Sequence, residues 1–283
     1  MFEKLVSYLK LIRFSHSIFA LPFALTGAVI AASGIPSLRQ ILWVVVAMIG
    51  ARSGAMGLNR IIDRKIDAEN PRTASREIPA GKVKVLDAVI FTVISFAVLV
   101  FAAYMLNPLC LKLSPIAIAV VALYPYTKRF TWLSHFVLGL AISAAPLGAW
   151  IAIKGTFDWE IIPMAFAVIF WLAGFDMLYA LQDLEFDKSS GLYSIPKRFG
   201  IKGTLILSSI SHFLSWSLLV FTGIVFGLWI FYWLGMIIVG GLLIYEHSIV
   251  KPDDLSKLDM AFFNMNGYIS MTVFVFTMVD YIA

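Results

Sequence analysis

The chain has 283 residues, 60% of them hydrophobic and 14% charged, with a formal net charge of +5 and a mean hydropathy of +0.89. A water-soluble domain of this length does not carry such a composition, so the expectation is an all-α integral membrane protein. With no basic helix and no interleaving of basic and aromatic residues, the positive charge does not point to nucleic acid, and the single Cys110 excludes an intramolecular disulfide or a CxxC site.

Residues 1–13 (FEKLVSYLKLIR after the initiator Met) alternate apolar and charged positions at helical spacing, which predicts an interfacial amphipathic helix. They lack the apolar core and cleavage site of a signal peptide, and Glu3 argues against a transit peptide. Spanning runs follow at about 14–34, 40–60, 86–106, 110–126, 133–152, 161–181, 204–226, 228–246 and 262–282, predicting about nine transmembrane helices in one domain over 1–283. Lysine and arginine gather at the N-terminus and in the loops after helices two, four, six and eight. Arg39, Lys112, Lys154 and the intrahelical Arg52 are the exceptions. This bias predicts that the N-terminus and those loops face the cytoplasm, as expected for a prokaryotic inner-membrane protein. The scattered His16, His135, His212 and His247 have no metal-ligand spacing, and His135 and His212 read as polar side chains packed between helices.

The second run ends in NRIIDRKIDAENPRTASREIPAGK, residues 59–82. Asn59, Asp63 and Asp67 recur every four residues and so line one side of a helix end. Three oxygen donors there suit a hard cation such as Mg²⁺, which takes carboxylates and leaves positions open for phosphate oxygens. Arg60, Arg64, Lys65, Arg72 and Arg76 supply a cationic setting for a polyanion. A solvated, salt-bridged loop is the bland alternative.

Helix six closes with GFDMLYALQDLEFD. Asp176, Tyr179, Asp183 and Asp187 are spaced for one broad helix side, and Asp183 and Asp187 repeat the separation of Asp63 and Asp67. Each acidic pair leads into a basic, proline- and glycine-bearing loop, SREIPAGK or YSIPKRFG, which predicts pseudo-repeated halves facing one another. Asp176 and Arg52 lie about two turns inside their helices, where charge is costly and must face protein or water. A buried ion pair between them is one reading. Lys128 and Arg129, in LYPYTKRFT after helix four, fall on the same side, a point charge and a planar fork suited to phosphate.

With these residues assembled, the chain resembles the UbiA family of intramembrane aromatic prenyltransferases: NxxxDxxxD after helix two, the following PRTASREIPAG, YPYTKR, and DxxYALxDxxxD. The resemblance implies a helical fold around a central cavity open to lipid and transfer of a prenyl group from a polyprenyl diphosphate to an aromatic acid, with Mg²⁺. By position it implies Asn59, Asp63, Asp67, Asp183 and Asp187 as metal–diphosphate residues, and Arg64, Lys128 and Arg129 as diphosphate or acceptor cations. Arg72 and Arg198 become lid residues, and Asp176 and Tyr179 candidates to orient the acceptor or take its ring proton. Arg52, Arg13 and His16 fall on the acceptor side. Arg60 departs from the Asp that many members carry there. The segment RFSHSIFALPFAL resembles the branch of futalosine-route menaquinone synthesis, whose acceptor is a dihydroxynaphthoate, more than the 4-hydroxybenzoate pattern. Within the family, haem, chlorophyll and lipid acceptors are alternatives. Outside it, a transporter would also bury Asp176 and Arg52 but leaves two Asp-rich repeats unexplained, and the DG…AR…G frame of CDP-alcohol phosphotransferases is absent.

The charge bias makes a topological prediction. In a Cys110→Ala background, cysteines placed at Ser75 and Ser189 should react with impermeant reagent from the cytoplasmic side, and one at Ala283 only from the opposite side. Ser75 and Ser189 reacting from different sides would separate the two acidic motifs.

Overall fold

The structure, a computed structural model, describes Leu11 and residues 17–283. The described residues form ten α-helices of four residues or more, with no strand among them. They are α1 (Ser17–Ala32), α2 (Leu38–Glu69), α3 (Val85–Leu106), α4 (Pro108–Thr127), α5 (Ser134–Lys154), α6 (Ile162–Ala180), α7 (Leu184–Ser190), α8 (Ile195–Val225), α9 (Ile230–Ile249) and α10 (Asn266–Ile282). All but α7 are apolar rods. Eight apolar helical stretches are long enough to span a membrane, and α1, apolar over Phe19–Ala32, is the shorter ninth. The protein is therefore an all-helical, multi-pass membrane protein, with about nine spanning helices as the hydropathy predicts. The proposed 1–13 helix lies outside the described residues apart from Leu11, which is fully buried.

Helix α2 starts at a capping box: the Ser37 hydroxyl accepts from Gln40 N at 3.3 Å, and the Gln40 side chain accepts from Ser37 N at 3.1 Å. Its 32 residues extend roughly 48 Å at 1.5 Å per residue, well beyond a hydrocarbon core of about 30 Å. The surplus is its last turns, which carry Asn59, Asp63 and Asp67. The charged stretch is thus still helix as far as Glu69, and turns begin only at Asn70 and Pro71. Proline at that point removes a donor and disfavours α conformation in the residue before it.

Helix α6 is the central rod, with Met164, Val168, Trp171, Phe175 and Met177 nearly inaccessible. Around it Phe23 of α1, Leu219 of α8, Tyr232 and Val239 of α9 and Ile269 of α10 complete the main core. Side chains on the rim, such as Val93, Ile94, Ile206 and Ile237, are exposed, as a lipid-facing surface requires.

Two expectations change in detail. The second acidic motif does not lie on one continuous helix, because α6 gives way to a 3₁₀ turn at Leu181–Asp183 before α7 begins. Asp183 and Asp187 therefore take a different course from Asp63 and Asp67. Helix α8 starts at Ile195 rather than 204, because the Ser194 hydroxyl accepts from Lys197 N and Pro196 fits the first turn. Gly200, at φ 68° and ψ −178°, breaks it and redirects the apolar part.

Close helix pairs rest on absent side chains. A Cβ at Gly50 would lie 2.8 Å from Ser95 O and 2.8 Å from Leu99 N of α3. Gly50→Val should force α2 and α3 apart and cost about 1–3 kcal/mol, as overpacking does. A lowered midpoint in a thermal unfolding assay in detergent would register it, whereas an unchanged midpoint would deny the contact its importance.

Candidate active site

The polar end of α2 is built around two buried carboxylates. Asp63 is 2% exposed and Asp67 4%. Asp63 Oδ2 accepts from Lys128 Nζ at 2.6 Å and from Asn59 Nδ2 at 3.2 Å, while Arg129 Nη2 reaches Oδ1 at 3.2 Å. Arg129 also donates to Ile62 O at 3.1 Å and covers the ring of Tyr126. Asp67 Oδ1 accepts from Arg76 Nη1 at 2.6 Å, and Arg60 Nη1 stands 3.7 Å from Oδ2. Arg60, the departure from the family pattern, is buried and also donates to Leu11 O.

The second motif joins the first through the turn after α2. Arg72 makes a two-pronged contact with Asp183, its Nε at 2.8 Å from Oδ1 and its Nη2 on Oδ2. Arg72 Nη1 donates to Tyr179 Oη at 3.0 Å. Asn70, which closes α2, donates from Nδ2 to Asp183 Oδ1 at 2.9 Å. Burial works against the charge on Arg72, but its bonds to Asp183 and the nearby Tyr179 more than offset it and raise its pKa above the ordinary arginine value. The corner after α4 binds both motifs: Lys128 holds Asp63 through its side chain and accepts from Tyr193 N at 2.8 Å through its carbonyl. Asp187 is buried nearby, with Ser194 as its hydrogen-bonding neighbour.

Most of the residues singled out by pattern meet here: Asn59, Asp63, Asp67, Arg72, Lys128, Arg129, Tyr179, Asp183 and Asp187. Arg64 does not, being exposed and turned back onto Ile61 O. Arg198 is exposed too, with its guanidinium over the ring of Trp132. Arg52 sits partly buried two turns before Asn59 on α2, but Asp176 pairs with His135 at 2.7 Å instead of with Arg52. Arg13 and His16 lie outside the described residues. Pattern gave Arg60 and Arg76 only a general cationic setting, His135 only a place between helices, and Asn70 no role. Asn70 carried a signal, as the helix-ending Asn before a proline, whereas His135 carried none.

Among the described residues, no group of three or more His, Cys, Asp or Glu side chains stands ready to hold a metal ion. The donor chemistry nevertheless fits Mg²⁺. The acidic motifs offer carboxylate and amide oxygens only, and Asp67 Oδ2 is buried without a hydrogen bond. Cationic side chains occupy the carboxylates in this arrangement.

The profile of the UbiA prenyltransferase family matches residues 20–268. This chain belongs to the UbiA prenyltransferase family. It is 31% identical over 280 residues to a 4-hydroxybenzoate octaprenyltransferase of Vibrio vulnificus, covering 96% of each chain. Its fold is similar to that of a UbiA homologue from Aeropyrum pernix K1, with a TM-score of 0.86 and 30% identity over 94% of this chain and 98% of that one. A UbiA homologue from Archaeoglobus fulgidus, described as bound to GPP and Mg²⁺, shares the fold at a TM-score of 0.64 and 20% identity, over 94% of this chain and 99% of that chain. The protein is thus a membrane prenyltransferase of the UbiA family.

The ion pairs generate a prediction. Arg76→Ala removes the nearest cation from buried Asp67 and leaves Arg60 at a distance. Loss of one partner from a buried pair costs about 3–5 kcal/mol, and the partial exposure of Arg76 (18%) places this case at or below the lower end. Thermal unfolding of the metal-free protein should register the loss, and added Mg²⁺ should recover part of it. A wild-type midpoint would deny the Arg76–Asp67 pair its importance for stability.

Proposed function

We propose that the protein transfers a polyprenyl group from polyprenyl diphosphate to the ring of an aromatic hydroxy acid in respiratory quinone synthesis. The observation that carries this reading is the junction of the two acidic motifs, where Asn70 and Arg72 of one reach Asp183 of the other. Mg²⁺ held by Asn59, Asp63, Asp67, Asp183 and Asp187 would supply Lewis-acid stabilisation of the departing pyrophosphate. Arg72, Lys128 and Arg129 lie on the same carboxylates, so each needs only a side-chain rotation to take a phosphate oxygen instead. As cations within reach of the phosphate oxygens, they would stabilise the negative charge that develops as the allylic carbon–oxygen bond breaks. Asp176 and Tyr179 would orient the acceptor hydroxyl, making the adjacent ring carbon electron-rich toward the allylic cation. The acceptor carboxylate needs a cation to offset repulsion from so many aspartates, a task that falls to Arg129 and Arg52, with Arg13 and His16 on the acceptor side by resemblance. The positive-inside pattern supports a cytoplasmic position for this end of the bundle.

Two acceptors have support. The Vibrio vulnificus relative is named a 4-hydroxybenzoate octaprenyltransferase, while RFSHSIFALPFAL favours a bicyclic 1,4-dihydroxynaphthoate-type acid, which we prefer. Purified protein in lipid, given Mg²⁺, a polyprenyl diphosphate and each acid separately, should yield a prenylated naphthoate. Asp63→Asn and Asp183→Asn should each remove turnover by at least about 100-fold, the scale of losing one stabilising group, with membrane insertion intact. EDTA should inactivate the wild type reversibly. A prenylated hydroxybenzoate alone would change the acceptor, whereas full activity in either variant would overturn the site.

A further inference from the structure

His135 opens α5 and is 4% exposed. Its ring bridges two other helices. Nδ1 lies 2.7 Å from Asp176 Oδ2 on α6, and Nε2 lies 3.5 Å from Ile195 N, the first residue of α8. A backbone N–H at a helix start has no partner within the helix and can only donate. Nε2 must therefore present its lone pair to Ile195, which leaves the proton of the neutral ring on Nδ1 and directs it at Asp176. Asp176 Oδ2 accordingly accepts this hydrogen bond. Its other oxygen, Oδ1, makes no hydrogen bond among the described residues, and the side chain is 22% exposed. Asp176 stands seven residues, about two helical turns, before Asp183. Asp63 and Asp176 both lie within electrostatic reach of Tyr124. Asp187 in turn lies within reach of His135. The pair thus flanks the acidic cluster without belonging to it.

We infer that His135 is a positioning residue: it holds Asp176 in one orientation, so that Oδ1 accepts the hydroxyl hydrogen of the aromatic acceptor. The inference rests on the acceptor reading of Asp176 given above. It also explains why a histidine, and not a lysine or arginine, stands opposite a carboxylate here. A permanent cation would hold Asp176 as an ion pair and compete for its second oxygen, whereas a neutral single donor leaves that oxygen available. The tie to Ile195 further couples the carboxylate to the start of α8, in the segment where Tyr193 N already binds the carbonyl of Lys128.

Separate Michaelis constants for acceptor and prenyl diphosphate test this in full-length protein in lipid. The amide nitrogen of asparagine falls near the place of Nδ1, and that of glutamine near Nε2. His135→Asn should keep the acceptor KM within about threefold of wild type, while His135→Gln and His135→Ala raise it by about tenfold or more, the scale of one hydrogen bond to a charged group. The KM for prenyl diphosphate should stay within about twofold in all three. The His135→Ala/Asp176→Asn double variant should be no worse for the acceptor than Asp176→Asn alone. Equal damage to both constants, or no rescue by asparagine, would make His135 structural only and overturn the inference. An unchanged acceptor KM in Asp176→Asn would also overturn it, yet leave metal-dependent transfer standing. Absence of any prenylated product from the wild type would instead remove the proposed function itself. Should His135→Ala fail to assemble, the contrast between asparagine and glutamine still decides.

Discussion

Charge burial at one end of an apolar bundle is the constraint on which the rest of the structure depends. Asp63, Asp67 and Asp187 are withdrawn from solvent, and an isolated ionised carboxylate in such a setting costs several kcal/mol even after relaxation. The chain meets this cost with cations from two other segments. Lys128 and Arg129 come from the corner after α4, and Arg72 and Arg76 from the turns after α2. Each bond fixes a loop as well as a charge, and the loops in turn fix how the helices sit at this end. Removing one carboxylate would strand a cation and loosen a corner.

The irregularities of the helices follow from the same demand. A continuous helix through Asp183 would keep Asp176, Asp183 and Asp187 on one broad face, but the 3₁₀ turn at Leu181–Asp183 tightens the backbone where Arg72 and Asn70 engage Asp183. Helix α2 needs no such adjustment, because its surplus length already carries Asp63 and Asp67 past the apolar zone. The two motifs therefore meet through different local geometries, despite equal spacing.

Periodicity made the helices and both acidic motifs legible, because a spanning helix declares itself by length and a carboxylate at its end by cost. Asn59, Asp63, Asp67, Asp183 and Asp187 stood out on those grounds. Side-chain direction was not legible. Arg64 is adjacent to Asp63 in sequence and points outward, since neighbours on a helix are about 100° apart, while Arg72 and Arg76 reach inward from turns whose path no spacing rule describes. The partner of Asp176 was hidden for another reason. Its proximity to His135 is set by how α5 packs on α6, through Gly139 against Ile169 among other contacts, and a lone histidine at the start of a helix offers no pattern from which to read that.

The cations around the carboxylates differ in their freedom to move. Arginine and lysine are flexible cations that neutralise the carboxylates without committing them, so under the proposed function they would turn to phosphate oxygens where Mg²⁺ takes the carboxylates. Lys128 and Arg129 are each about one third exposed, Arg72 a little less, and Arg60 almost wholly enclosed. The first three have room to move and opposite charges to follow, whereas Arg60 is held by Asp67 and the carbonyl of Leu11. Under the proposed function the mobile cations go to the phosphates. Arg60 remains beside Asp67 as a fixed counter-charge, which gives the departure from the family pattern at this position a physical role.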